Sequence, residues 1–177
     1  GQDYIESLQL RLEESARITI NTPWDVVNDI MDGGLGVGEL GVIVAPAGIG
    51  KSWTLQALGA GALKDGKTVV HYTLELNENY VGLRYDSIFS GVTTANIKYY
   101  KDDVQAKISK LPGKLLIKYF PTKSASVQTI GAHLKQIEIS GVKPDIVLVD
   151  YADILMSVGT FREKRHALGT IYEDLRG

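Results

Sequence analysis

One stretch constrains the fold more than any other: Ala45-Pro46-Ala47-Gly48-Ile49-Gly50-Lys51-Ser52. It matches the phosphate-loop pattern G-x-x-x-x-G-K-[ST] everywhere except at Ala45, which stands where the first glycine would be. The apolar run Gly41-Val42-Ile43-Val44 before it predicts a buried strand. Residues 51–64 after it, with Leu55, Leu58 and Ala62 at helical spacing, predict a helix. The chemistry explains the residue types. Gly48 and Gly50 let the backbone wrap a phosphate with its N–H groups turned inward. The helix starting near Lys51 adds its positive N-terminal dipole. Lys51 reaches the β- and γ-phosphates, and Ser52 offers its hydroxyl to Mg²⁺. Residues Pro46 to Trp53 are therefore the candidate nucleotide-binding segment. Ala45 affects only how the loop is entered, because alanine tolerates ordinary negative φ.

The rest of the chain alternates strands and helices. A turn at Asp65-Gly66-Lys67 precedes a β-branched strand from Thr68 to Thr73. Further strands are predicted at Leu115-Leu116-Ile117 and Ile146-Val147-Leu148-Val149, with helices at 78–90, 102–110, 125–139 and 161–176. This alternation implies an α/β fold with a parallel sheet covered by helices on both faces. Before the loop, Tyr4, Ile5, Leu8 and Leu12 recur at helical spacing and predict an amphipathic helix over 3–16. A second helix starts at Thr22-Pro23, with Thr22 as its cap, carries Trp24, Val27, Ile30 and Met31, and stops at Gly33-Gly34. Trp24 and Trp53 are expected to be core residues. There is no internal repeat and no low-complexity segment.

Ligands of an open parallel sheet sit beyond the carboxyl ends of its strands. The run 146–149 ends in Asp150, the Walker-B pattern, whose acid holds Mg²⁺. Asp153 is a weaker competitor, and Asp145 precedes the strand at its wrong end. The strand 68–73 leads into Leu74-Glu75, which places Glu75 to polarise a water for attack on a γ-phosphate. Glu78 is the rival, three residues on and expected to cap the next helix.

Composition closes off other readings. With 44% apolar and 23% charged residues over 177 positions, the chain is ordinary globular material. It has no cysteine, so it has neither a disulfide framework nor a thiolate site. His71, His133 and His166 lack ligand-like spacing, which argues against a zinc enzyme. The longest apolar stretch, 33–50, is glycine-rich and carries Glu39, so it is not a membrane span. No signal peptide is seen, and a soluble cytoplasmic protein is expected. Residues 1–32 hold seven acids against two arginines, an acidic leader before a mildly basic remainder. A sequence pI of 5.9 does not mark a strong nucleic-acid binder. Lysines at 98, 101, 107, 110, 114, 118 and 123, with Tyr99 and Tyr100, read as a solvated face before they read as a phosphate-backbone patch. The motifs leave Arg84 between core-edge packing and a part in the nucleotide site.

These residues together resemble the ATPase domain of DnaB-like replicative helicases, within the RecA superfamily. The resemblance covers nearly the whole chain. It rests on Thr22-Pro23-Trp24 through Gly33-Gly34-Leu35, Gly38-Glu39-Leu40, the loop with its leading Ala45, and Tyr72-Thr73-Leu74-Glu75-Leu76. Leu83-Arg84, Ser90-Gly91-Val92, Val149-Asp150-Tyr151 with Ile154-Leu155-Met156, and Arg162, Glu163 and Arg165 add to it. Ala152 and Asp153 depart from the family's usual Walker-B segment, so a phage-type helicase fits as well as a bacterial one.

The resemblance implies a RecA-like P-loop core over 22–177 preceded by a linker helix segment over 1–21. It implies ATP and Mg²⁺ as ligands, Lys51 and Glu75 as catalytic groups, and Ser52 and Asp150 at the metal. It further implies a hexameric ring on single-stranded DNA, assembled through residues 3–16, in the cytoplasm of a bacterial or phage-infected cell. Primase or loader proteins are expected partners, and no membrane is. The family's DNA-contacting loops and arginine finger are expected beyond residue 177, which makes this chain an incomplete motor. A RecA-, KaiC- or RadA-like recombination or regulatory ATPase is the alternative. A binding module without turnover is disfavoured by Glu75, since a switch needs no water-activating acid there.

Overall fold

A computed structural model describes residues 3–14, 17–121, 124–155 and 164–176. Lys123, Met156, the Val158-Gly159 step, Arg162 and Glu163 lie outside the described residues. The chain divides into two compact units, Gly1–Gly41 and Val42–Gly177.

In the first unit, helix α1 spans Leu8–Glu14, shorter than the helix expected over 3–16, with turns at 4–7. Ile5 (81% exposed) and Leu8 leave an apolar stripe uncovered. Strand β1, Thr19–Ile20, pairs antiparallel with β2, Leu35–Gly36, a ribbon the sequence pattern does not signal. Helix α2 spans Asp25–Ile30. Its start corrects the expected cap: Trp24 is the N-cap residue, while the Thr22 hydroxyl accepts from the Trp24 N–H at 3.2 Å. Asn28 holds the approach by accepting from Thr22 N (2.7 Å) and donating to Thr22 O (2.9 Å). One guanidinium then closes the unit. Arg17 pairs with Glu39 and donates to the Met31 and Gly34 carbonyls. Glu39 in turn accepts from Gly36 N at 2.9 Å. Gly34 must be glycine: its φ is +99°, and a Cβ there would overlap the Ile20 carbonyl.

The second unit is built on a parallel sheet of β3 (Thr68–Thr73), β4 (Lys114–Tyr119) and β5 (Ile146–Asp150), in the order β4-β3-β5. Helices α3 (Lys51–Lys64), α4 (Glu78–Ser90) and α5 (Lys101–Ile108) follow the loop and β3; α6 (Val127–Ile139) and α7 (Lys164–Arg176) flank β5 in sequence. Alternation along β3 sends Val70 and Tyr72 into a core with Ile130 and Ile137 of α6 and Ile171 of α7. The opposite face carries Val69, His71 and Thr73, with α3 and α4 packed over it. Helix α6 begins with a reciprocal capping box between Ser126 and Thr129.

Two expectations are corrected. The run 41–44 makes no ladder hydrogen bonds, and Val44 is 87% exposed. An apolar β-branched run marks a preference for extended backbone, but a strand also needs a partner edge. Trp24 and Trp53 are exposed rather than core (Trp53 41%).

His71 is fully buried and shares a 2.9 Å hydrogen bond with the Tyr85 hydroxyl. Burial lowers its pKa from the ordinary 6.5 to about 4. Between those values the unfolded chain binds the extra proton, so the contribution is complete above pH 6.5 and lost as pH falls toward 4. Urea titrations from about pH 7.5 to 4 are expected to show wild type losing about 3 kcal/mol more than His71→Gln over that window.

Candidate functional site

Three segments converge at the carboxyl end of the sheet. The loop 45–50 needs left-handed backbone at Gly48 (φ +80°) and Gly50 (φ +101°), and no atom lies within 4 Å of where a Cβ would stand at either. The glycines are thus required by conformation, not by crowding, and the space before the loop stays open. Lys51 begins α3 and folds its ammonium back onto the loop, donating to Ala45 O at 2.6 Å and Pro46 O at 3.4 Å. The next residue turns inward: Ser52 Oγ donates to Asp150 Oδ1 at 3.1 Å. Two groups read from separate motifs, 98 residues apart, are therefore in direct contact.

Asp150 ends β5, is 4% exposed, and is followed by a cis peptide to Tyr151. Burial raises its pKa above the ordinary carboxylate range. The Ser52 hydrogen bond opposes that, the Glu75 charge adds to it, and Arg84 and Lys51 lower it. A carboxylate in that position gains from an arriving cation, and the Ser52 hydroxyl beside it offers a second oxygen. Among the described residues, no cluster of three or more His, Asp or Glu forms a metal cage. The pair fits an ion whose remaining ligands are phosphate oxygens and water.

Glu75 sits on the turn after β3 and is exposed at the site's mouth. The turn is clamped by Thr73, whose hydroxyl donates to Leu76 O (2.8 Å) and accepts from Leu76 N (3.1 Å). Sequence reasoning passed over Thr73, although a threonine three residues before the turn's end is a known local clamp. The rival acids are engaged in the fold. Glu78 accepts from Tyr119 N at 3.0 Å, and that bond holds its pKa down. Asp145 accepts from Thr68 N at 2.7 Å at the opposite end of the sheet, and Asp153 accepts from the Tyr172 hydroxyl at 2.7 Å.

Arg84, left open by the motifs, reaches from α4 so that its guanidinium lies 5.1 Å from the Trp53 ring centroid. Its charge acts on Asp150, which makes it a cation of this site. The lysine-rich stretch is partly committed elsewhere: Lys107 donates to Ser90 O at 2.7 Å, Lys98 lies over Tyr99, and Lys118 lies over Phe120.

The fold is a parallel α/β sheet flanked by helices, with the loop, Ser52 and Asp150 gathered at the carboxyl end of its strands. The chain is similar, moreover, to DnaB-like replicative helicases, and the resemblance read from its motifs holds. The DnaB-like replicative helicase of Enterobacteria phage T4 is 27% identical over 190 residues, covering 99% of this chain and 40% of the relative. This chain thus spans about two-fifths of that curated relative. A solved DnaB-like replicative helicase, described with its interactions with primase, superposes with TM-score 0.75 at 17% identity over 99% of this chain and 45% of its own. A second solved structure, of an ATPase domain, gives 0.74 at 18% identity, over 99% of this chain and 66% of its own. No protein-family model matches.

The open space around Gly50 gives a clean test of the loop's backbone requirement. Gly50→Ala is expected to cost about 1–2 kcal/mol in urea unfolding, from conformation alone. Gly131→Ala, equally uncrowded but inside α6, is expected to stabilise by up to about 1 kcal/mol.

Proposed function

We infer that this chain is the motor domain of a hexameric DnaB-like helicase, hydrolysing ATP with Mg²⁺ to move along single-stranded DNA. The observation that carries the reading is the Ser52–Asp150 contact beside the Lys51 ammonium, with Glu75 at the same sheet end. The loop amides of residues 46–50, the Lys51 ammonium and the start of α3 bind the phosphates, with Trp53 at the segment's end. Ser52 and Asp150 would hold Mg²⁺, which would neutralise charge on the phosphate oxygens. Glu75 takes the proton of the water that attacks the γ-phosphorus. The bond to the β–γ bridging oxygen breaks, and ADP and phosphate leave. Glu78 is a poor base for this step because its carboxylate is spent on the Tyr119 amide.

The exposed stripe at Ile5 and Leu8 supports assembly through residues 3–16. The ring encircles single-stranded DNA in a bacterial or phage-infected cytoplasm, with primase or a loader as accessory partners. No described helix is long and apolar enough to cross a membrane.

ATPase assays on the assembled protein test the chemistry. Lys51→Ala is expected to abolish nucleotide binding with the fold intact. Glu75→Gln is expected to bind ATP but hydrolyse it about 10²–10⁴-fold more slowly. A Glu75→Gln protein with undiminished turnover would reassign the base.

The motor reading is checked separately. If a neighbour supplies an arginine finger, worth about 10³–10⁵ in rate, turnover per chain rises with protein concentration in step with assembly seen by sedimentation. Brisk hydrolysis by a stable monomer, indifferent to DNA, would overturn the ring. Strand displacement on forked DNA by the full-length protein separates a helicase from a RecA-, KaiC- or RadA-like ATPase.

A further inference from the structure

On the same unit but away from the nucleotide site, α4, the ends of α3 and α5 and the start of β4 line a solvent-open cavity of about 270 Å³. Its walls are Leu63, Tyr85, Phe89, Leu111 and Leu115, and its one charged lining group is Asp86. No described group donates to the Asp86 carboxylate, and no described cation pairs with it. The nearby polar groups are committed: the Tyr85 hydroxyl bonds His71 (2.9 Å), the Gly113 N–H bonds Leu63 O (3.0 Å), and Lys107 is spent on Ser90 O (2.7 Å). Burial raises the Asp86 pKa, and no neighbouring charge offsets it. The Tyr85 and Phe89 rings lie nearly parallel, with centroids 6.3 Å apart; Tyr85 is buried, so the partly exposed Phe89 supplies the aromatic surface beside the carboxylate.

A half-buried carboxylate on an apolar, aromatic wall is the complement of one kind of group. The ligand needs a delocalised cation to answer the charge and lie on the Phe89 ring, and an apolar stem to fill the slot. A guanidinium answers both better than a strongly hydrated ammonium. The volume takes one long side chain and falls just below the range of drug-sized ligand sites. We propose that the α4–α5 cavity binds a single alkylguanidinium group, with Asp86 as its counter-ion. Its sources are an arginine side chain on a partner protein or a free guanidino compound. The site is independent of the ATPase reading.

The test is an amide-resolved NMR titration of the whole chain, read at Gly82, Asp86 and Gly113. The probes are N-acetyl-arginine methylamide, its neutral isostere N-acetyl-citrulline methylamide, and agmatine. Saturable shifts are expected at these amides with the arginine probe, at least about tenfold tighter than with citrulline. Asp86→Asn is expected to remove that advantage, while Lys51→Ala leaves it unchanged. Tighter binding of the blocked arginine than of agmatine identifies a peptide-borne group, and the reverse identifies a free compound. Equal binding of arginine and citrulline, shifts mapping elsewhere, or no saturation overturns the proposal without requiring any variant to fold.

Discussion

The pairing of β3 with β5 is the constraint on which the second unit depends. Its parallel register sets Thr73 opposite Asp150, and the ladder continues one step further where Leu74 N donates to Asp150 O at 2.8 Å. That bond fixes where both strands end, and so fixes Glu75 and Asp150 side by side. It also dictates how close α3 must come. Ser52 reaches Asp150 only if the helix lies tight on the sheet, and Gly59, two turns on along the same face, is where it does. A Cβ at Gly59 would overlap the Tyr85 hydroxyl and stand 2.8 Å from Leu148 Cδ1. The close approach at Gly59 and the Ser52–Asp150 contact are one packing decision seen at two heights.

The face that α3 covers is unusually polar for an interior. Gln56, His71, Thr73 and Asp150 are all buried there, with the Tyr85 hydroxyl among them. Burial keeps His71 neutral and drives Tyr85 up beyond the ordinary phenol range; these two share a hydrogen bond, while the Gln56 amide and His71 Nε2 have no partner among the described residues. Only Asp150, at the layer's rim, sits where cations act on it: Lys51 from the loop and Arg84 from α4. The polarity rises toward the end of the sheet where a charged ligand would arrive, while the opposite face, around Val70 and Tyr72, is a conventional apolar core.

Much of this was legible because the residues concerned have narrow chemical duties. A Gly-x-Gly-Lys-Ser turn after an apolar run, and an acid ending another, leave few alternatives, and the α/β alternation follows from periodicity. What was illegible depended on partners distant in sequence. The run 41–44 reads as a strand in isolation but finds no ladder. The β1–β2 ribbon is two residues per strand, too short for any period, and is held by the Arg17–Glu39 pair rather than by its own pattern. Arg84 and Trp53 belong to different helices, so nothing along the chain announces that they meet. Glu75 and Glu78 are separable only once Tyr119, 41 residues later, is seen to bond Glu78.

The acids of the second unit divide by what they accept. Glu78 and Asp145 each tie a backbone amide of another element, and Asp153 takes a tyrosine hydroxyl. Glu78, the one of these with a resolved shift, is held below its ordinary range by such a bond. Asp150 and Asp86 are the reverse case, with burial pushing both upward. Asp150 has one hydroxyl donor, and Asp86 has no described donor at all. A donor from the fold stabilises the charged form and is already included in the folded state. A desolvated carboxylate without enough donors costs free energy in the resting protein, and that cost is offset only when a cation binds. By this reasoning Asp150, which is buried, and Asp86, which is half-buried and still reaches solvent, mark two places where a cation would add stability. One lies at the end of the sheet where Lys51 and Ser52 converge. The other lies behind α4, where no described residue of the chain is positioned to answer the charge.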